Sequence, residues 1–378
     1  MSTQNPKAAR VAINAAPGMT NGTTKAAPAA TGAKRAVGTS RPRASLVDVA
    51  TLAGVSSGTV SRALTRPDMI SQATRERVLA AAQRLGYVAN GAARALVMRR
   101  SMTVGALVPR FGGSSFPTMI QALESTLAAA DYTLLLSAPE HSRGQGPAAL
   151  AALLERGVDA VALLGAQHPP QVFAALTAHQ RPFVMMWAQH SPQGVCVGFD
   201  EGEAASLLVD HLAALGHREI GFVGGRTEHN ERARRRLLGL TLAIARHGIR
   251  LAPQAMLEVD YGFAQGFEAM TELLQRGLTI TAVVCGNDYL ATGALAALAQ
   301  AGVPVPGQLS VASFNDNDFA AYLYPPLTTV RLPIREMGEQ AGHYLLQRLR
   351  GAQPQHQALL PVELIVRQST GYAPRAQE

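Results

Sequence analysis

At 378 residues the chain is long enough for more than one domain and a large core. With 47% hydrophobic and 16% charged residues it reads as globular, and no apolar run approaches a membrane-spanning length. The formal net charge is +8, and the two cysteines, Cys196 and Cys285, lie far apart, which implies no disulfide framework and fits a reducing cytoplasm.

Residues 1–43 are rich in Ala, Thr, Gly and Pro without an apolar period, and read as a disordered basic tail. They carry Lys7, Arg10, Lys25, Lys34, Arg35, Arg41 and Arg43 and no acid. The next stretch adds more arginines than acids, so the remainder of the chain is mildly acidic. A basic front end on an acidic body is the footprint of a protein that docks DNA with one end. A solvated charged surface is the alternative, but it would scatter the charge. The tail either adds non-specific phosphate attraction or is a passive extension. No apolar signal core opens the chain, which argues against secretion.

The stretch 45–96 organises the rest. Val47, Val49, Ala50, Leu52 and Ala53 follow a helical spacing, and Gly54 ends it as a glycine after the last turn does. Ser56 is placed to cap a second helix over 57–64. Two short helices joined by a tight glycine-containing turn form a helix-turn-helix. Its second helix would expose Ser57, Gly58, Thr59, Ser61 and Arg62, small or polar side chains suited to base edges, and turn Val60 and Ala63 inward. An ordinary helical hairpin satisfies the turn pattern equally. A third helix follows over about 72–85, apolar at Val78, Ala81, Ala82 and Leu85.

The run LGYVANGAARAL, with DVATLAGVSSGTVSRAL before it, resembles the DNA-binding headpiece of the LacI/GalR family, roughly fifty residues without a gap. The resemblance implies that Ser57, Gly58 and Arg62 face the major groove of double-stranded operator DNA. It also implies a hinge helix within about 90–98 that orders on the operator, with Asn90 and Arg94 at the DNA and Leu96 wedged into the minor groove. An apolar wedge unstacks one base step and bends the duplex. A core leucine is the alternative for Leu96. In this reading the headpiece spans 44–100 and the remaining body 101–378.

Beyond Ser101, apolar runs alternate with helical patterns. Strands are expected at 103–108, 132–137, 160–164, 183–186 and 195–198, with helices at 116–130, 147–156 and about 171–178 between them. A second series places helices at 203–215, 231–246, 263–275 and 289–299, and strands at 220–223, 256–259, 282–285 and 309–314. The chain then passes through PPLTTVRLP, forms a helix over 334–348 and ends in an expected hairpin over 358–366. Continuous apolar strands separated by helices indicate parallel sheets covered on both faces. Two such units in tandem suggest two lobes with a cleft between them, and ligands of open parallel sheets bind beyond the strands' carboxyl ends.

The segments HLAALGHREIGFVGG, AVVCGNDYLATGAL and YPPLTTVRLPIREMG resemble that family's effector core, itself similar to periplasmic sugar-binding proteins. The expected fold is therefore an all-α helix-turn-helix headpiece on a two-lobed α/β core, assembled as a homodimer, with a tetramer left open. Matching positions place Ser115, Phe116, Trp187, Arg232, Arg236, Tyr261, Asn287 and Asn315 around the effector. Arg236 fits the family pattern best, and its guanidinium can grip paired hydroxyls or a carboxylate. Phe116, Trp187 and Tyr261 could stack on a sugar, or simply pack in the core.

Neutral sugar- and nucleoside-binding relatives commonly carry aspartates where this chain has Trp187 and Asn315. Two carboxylates lost and Arg232 gained beside Arg236 imply a more positive cleft, and hence an acidic effector such as gluconate or a ketogluconate. The phrase CVGFDEGEAA resembles the gluconate-repressor branch. The expected role is a ligand-released repressor. An activator or dual regulator responding to a neutral sugar or a sugar phosphate is the alternative. A transport binding protein would need an export signal and no headpiece. The enzyme reading finds no HExxH, GxSxG or GxxxxGK[ST] sequence, His211 and His217 are badly spaced for one helix face, and no metal or cofactor is called for.

Overall fold

The computed structural model describes residues 44–88, 95, 100–108, 115–138, 145–228, 230–354 and 358–374. The chain divides into two compact units, Met1–Tyr87 and Val88–Glu378.

The first unit is three helices, α1 (Leu46–Ala53), α2 (Ser57–Thr65) and α3 (Gln72–Leu85). Each is headed by a serine whose hydroxyl accepts a backbone N–H: Ser45 from Asp48, Ser56 from Thr59 and Ser71 from Thr74. Ser45 and Asp48 bond reciprocally, a capping box. Gly54 and Gly86 close α1 and α3 in the left-handed conformation, at φ 64° and 61°. The small core is valine and alanine: Val49, Ala50, Ala53, Val60, Ala63, Val78, Ala81 and Ala82. Val47, Leu52 and Leu85, which belong to the same apolar helical patterns, are exposed. Helices of 8 and 9 residues crossing a third have room to bury only a narrow stripe. The expected hinge lies outside the described residues apart from Ala95, which is helical.

The second unit holds two six-stranded sheets. The first is ordered β11-β5-β4-β3-β1-β2, from β1 (Thr103–Leu107), β2 (Thr133–Ser137), β3 (Ala160–Leu164), β4 (Phe183–Met186), β5 (Cys196–Gly198) and β11 (Ala358–Leu359). The second is ordered β12-β10-β9-β8-β6-β7, from β6 (Ile220–Gly225), β7 (Met256–Val259), β8 (Ala282–Cys285), β9 (Ser310–Asn315), β10 (Thr328–Arg331) and β12 (Glu363–Ile365). All pairings are parallel except β10 with β12.

Helices cover both faces: α4 (Phe116–Ala128), α5 (Gln145–Glu155), α6 (Pro170–Ala178), α7 (Glu201–Ala214), α8 (Glu231–His247), α9 (Phe263–Gln275), α10 (Asp288–Gln300) and α11 (Ile334–Leu349). With a helix on each face, central strands such as β3 and β9 are buried at every position, which explains their unbroken apolar runs.

Three expectations need correction. Residues 358–366 do not form a hairpin: β11 joins the first sheet beside β5, and β12 joins the second beside β10. PPLTTVRLP, in which no strand is expected, contains β10. The lobes are also not tandem, because α11 returns from the second sheet to pack on α4. Gly338 lies so close that any side chain there would run into the Met119 carbonyl. The chain therefore crosses between lobes three times: after β5, after β10 and between β11 and β12. Such connections allow the lobes to rotate as bodies about a shared hinge.

Candidate functional site

In the first unit, Gly54 and Ser56 set the angle between α1 and α2, so Val60 and Ala63 are buried and the opposite side of α2 faces outward. Gly58 and Arg62 are exposed, and Ser57, Thr59 and Ser61 half-exposed. The Thr59 hydroxyl lies 2.9 Å from that of Ser56, which ties it to the cap. A Cβ added to Gly58 would meet nothing closer than Ser56 Oγ at 3.8 Å and Arg62 at 3.9 Å. Folding does not demand a glycine there. Arg66, Arg75, Arg77 and Arg84 add exposed positive charge to the same small unit. Asn90, Arg94 and Leu96 lie outside the described residues.

In the second unit, the expected effector residues gather at the carboxyl ends of the parallel strands. Trp187 follows β4, Tyr261 follows β7, Asn287 follows β8, Asn315 ends β9, and Ser115 and Phe116 open α4. Trp187, at φ 53°, and Asn315, at φ 114°, hold backbone conformations that side chains rarely adopt, a strain that concentrates at functional sites. Phe116 and Trp187 meet edge to face at 5.4 Å, and Trp187 rests against Phe199 at 5.9 Å. The Arg232 guanidinium reaches over from α8, 5.4 Å from the Phe116 ring and 6.0 Å from the Trp187 ring. It also lies against Gly165, where a Cβ would come within 3.0 Å of it.

Arg236 is occupied. Its Nε donates to Glu201 at 2.8 Å, a second nitrogen donates to the same carboxylate at 3.1 Å, and a third donates to the Gly286 carbonyl. The Trp187 indole N–H donates to Glu201 as well, at 3.1 Å. Glu201 is only 4% exposed and is the first residue of α7, where the helix end favours an anion. Arg236 spends its fork on Glu201, so of the two arginines expected to make the cleft more positive only Arg232 is left without an ion pair among the described residues.

Arg232 has no carboxylate within ion-pair distance among the described residues, and its partners are the two rings. Burial pushes its pKa down and Arg236 pushes the same way, against the pull of Tyr261 and Glu201. The Tyr261 ring covers Gly225 and Gly286, and burial raises its hydroxyl's pKa.

Asn287 caps α10, accepting the Leu290 N–H at 3.0 Å. Asn315 donates from Nδ2 to the Ser115 hydroxyl at 3.0 Å, and Ser115 donates to Asn317 Oδ1 at 2.8 Å. Asn317 in turn donates through its backbone and side chain to Asp288, at 2.6 and 3.0 Å. Asp288 also accepts from Ser313 and, at 2.8 Å, from Thr329, and burial pushes its carboxyl up to about 6. Glu201, Asn317 and Asp288 were absent from the sequence-derived set. The signal for Glu201 was an acid in the first turn of a helix that follows a buried strand; Asn317 and Asp288 only acquire a role once β8 and β9 lie side by side.

Residues 45–90 match the bacterial regulatory proteins, lacI family, and residues 209–370 match the periplasmic binding protein-like domain. The HTH-type transcriptional repressor CytR of Escherichia coli (strain K12) is 35% identical over 339 residues, 88% of this chain and 97% of the relative. This chain belongs to the LacI family. Among solved LacI-family structures, the lac repressor dimer bound to operator and the anti-inducer ONPF is similar with a TM-score of 0.75 at 29% identity, covering 87% of this chain and 99% of that one. The transcription regulator GntR from Chromobacterium violaceum is similar at 32% identity with a TM-score of 0.67, covering 71% and 99%. LacI-family relatives are transcription regulators, and among the described residues of this chain no His, Cys, Asp and Glu cluster could hold a metal ion. No helix of the described residues is long and apolar enough to cross a membrane.

Proposed function

We propose that this chain is a ligand-responsive repressor that binds a pseudo-palindromic operator as a homodimer and is released by a small anionic effector, a sugar acid such as gluconate. In this reading 44–100 is the DNA-binding module, with Ser57, Gly58, Thr59, Ser61 and Arg62 on the major groove and Asn90, Arg94 and Leu96 in the hinge. The body 101–378 binds effector and dimerises. An exposed aromatic group supports dimerisation: Phe263, 5.0 Å from Tyr289, with Phe319 5.2 Å from that tyrosine and with Tyr322 and Tyr324 almost fully exposed.

The observation that carries the anionic effector is Arg232. A half-buried guanidinium facing two aromatic rings, with no carboxylate within ion-pair distance among the described residues, is the place in the cleft where a ligand carboxylate gains most. Phe116 and Trp187 then offer an apolar edge to the carbon chain. Calorimetry of the full chain with gluconate, 2-ketogluconate, 6-phosphogluconate and neutral hexoses tests this. Binding of an acid that is lost in Arg232→Ala is expected. Tight binding of a neutral hexose with none of any acid overturns it.

A further inference from the structure

One chain of hydrogen bonds in the cleft has its polarity set from one end. Asp288 is buried and, when ionised, can only accept, so Asn317 must turn its Nδ2 toward it. That turns Asn317 Oδ1 the other way, where it takes the single proton of the Ser115 hydroxyl at 2.8 Å. Ser115, with its proton spent, can only accept from Asn315 Nδ2, at 3.0 Å. Asn315 Oδ1 is left over: it is buried and has no hydrogen-bond partner among the described residues.

Two further features fit. Ser115 sits at the N-cap of α4, yet its hydroxyl makes no capping bond, because the relay takes it. The loop after β9 is also held firmly, with Asp316 clamped by Arg331 at 2.8 Å and Arg367 at 2.7 Å.

We propose that the relay Asp288–Asn317–Ser115–Asn315 fixes Asn315 Oδ1 as an obligate hydrogen-bond acceptor in the cleft, so that the effector must present a hydroxyl or N–H donor there. The inference rests on the reading of this cleft as the effector site. It deepens it, because the ligand must now carry an anion for Arg232 and a donor for Asn315. Within the relay, Ser115, Asn317 and Asp288 are positioning residues, and Asn315 is the member that touches the ligand. Because Ser115 opens α4 beside the first sheet, while Asn315 ends β9 of the second and Asn317 follows it, the relay also ties one lobe to the other. A buried acceptor that loses its donor leaves an unsatisfied group, so a ligand lacking the donor is rejected strongly.

Two measurements on the full chain test the proposal. The first needs no ligand: hydrogen exchange of the side-chain amides with selectively labelled asparagine. The Asn315 and Asn317 amide protons should both be protected, and Ser115→Ala should speed exchange at Asn315 at least tenfold while sparing Asn317. Exchange of Asn315 at the rate of an exposed asparagine in the unsubstituted chain overturns the assigned polarity, whatever the ligand. The second is calorimetry with D-gluconate and its mono-deoxyfluoro analogues, in which fluorine keeps the size of a hydroxyl but cannot donate. One analogue should bind at least tenfold more weakly than gluconate. In Ser115→Ala, where the Asn315 amide is free to turn its NH2 outward, that difference should shrink below threefold. If gluconate binds and every analogue stays within threefold of it, the donor requirement is wrong while the acidic effector stands. If no acid binds but the exchange pattern holds, the acidic effector is wrong while the relay stands.

Discussion

Behind Trp187 the cleft holds two guanidiniums and one carboxylate, and the carboxylate is committed to one of them. Arg236 and Glu201 are each about 5% exposed at the side chain and joined at 2.8 Å. Removing one member of such a pair strands a buried charge, which costs about 3–5 kcal/mol. Glu201→Ala should therefore lower the stability of the body by that amount in urea unfolding. Arg232→Ala should behave differently: it has no described ion pair to break, so its stability should change by less than about 1 kcal/mol, while binding of gluconate falls at least tenfold. Equal stability losses in the two variants would show that Arg232 is structural. Asp288 offers a third test at this scale. Its carboxyl titrates at about 6 in the fold against 3.8 ordinarily, because burial opposes its charge. Between those values the folded chain holds a proton that the unfolded chain has lost. Raising the pH pulls that proton off at a cost to the fold, so this group's contribution is largest below pH 4 and is lost as the pH rises through 6, by up to about 3 kcal/mol. Asp288→Asn has no such proton. Unfolding measured across pH 4–7 should show the stability of the unsubstituted chain falling relative to Asp288→Asn as pH rises.

At the scale of the element, α2 carries a glycine that its own packing does not require. Gly58 is exposed, and a Cβ there would meet only ordinary contacts. Glycine in a helix costs about 0.5–1 kcal/mol relative to alanine. Gly58→Ala should raise the thermal stability of the three-helix unit by about that amount, yet weaken specific operator binding in fluorescence anisotropy at least tenfold while leaving non-specific DNA binding nearly unchanged. A stabilised variant with undiminished operator binding would move the reading surface off this face. Glycine also explains part of what the sequence hid. Gly338 in α11 lies on the Met119 carbonyl of α4, and Gly293 in α10 lies on the Phe263 carbonyl of α9. Each marks a close helix pair, but a glycine does not say which helix is its neighbour. The long strands were legible because helices on both faces force unbroken apolar runs, as in AVALL of β3 and AVVC of β8. Strand β10 was not, because its buried Thr328 and Thr329 are polar and satisfied by Ser369, Thr370 and Asp288 from elsewhere in the chain. The site divides the same way. The family resemblance places Arg232 in the first turn of α8, Trp187 just after β4 and Asn315 at the end of β9, all readable elements, whereas Glu201 acquires its meaning from Arg236, 35 residues away.

At the scale of the whole molecule, the proposed switch couples a metabolite to a duplex. Each lobe of the body is built from strands of two chain segments, an arrangement that allows it to move as a unit, and the Ser115 relay joins the lobes where an effector would sit. A ligand held by Arg232 and Asn315 of the second lobe and lying against Phe116 and Trp187 of the first has groups on both sides of the cleft to bridge, and its binding energy differs between a closed and an open arrangement. That difference is the only free energy available for changing operator affinity. Linkage makes the exchange reciprocal: if gluconate weakens operator binding by some factor, the operator must weaken gluconate binding by the same factor. Calorimetric titration of the full chain with gluconate, in the presence and absence of saturating operator duplex, should give a ratio equal to the loss of operator affinity measured by anisotropy at saturating gluconate. Both must be taken at one salt concentration, because phosphate contacts release counterions and make operator affinity fall steeply with salt. Arg232→Ala should abolish both factors together. If it abolished gluconate binding but operator affinity still responded to gluconate, the response would have to arise at a second site, and the cleft would not be the switch.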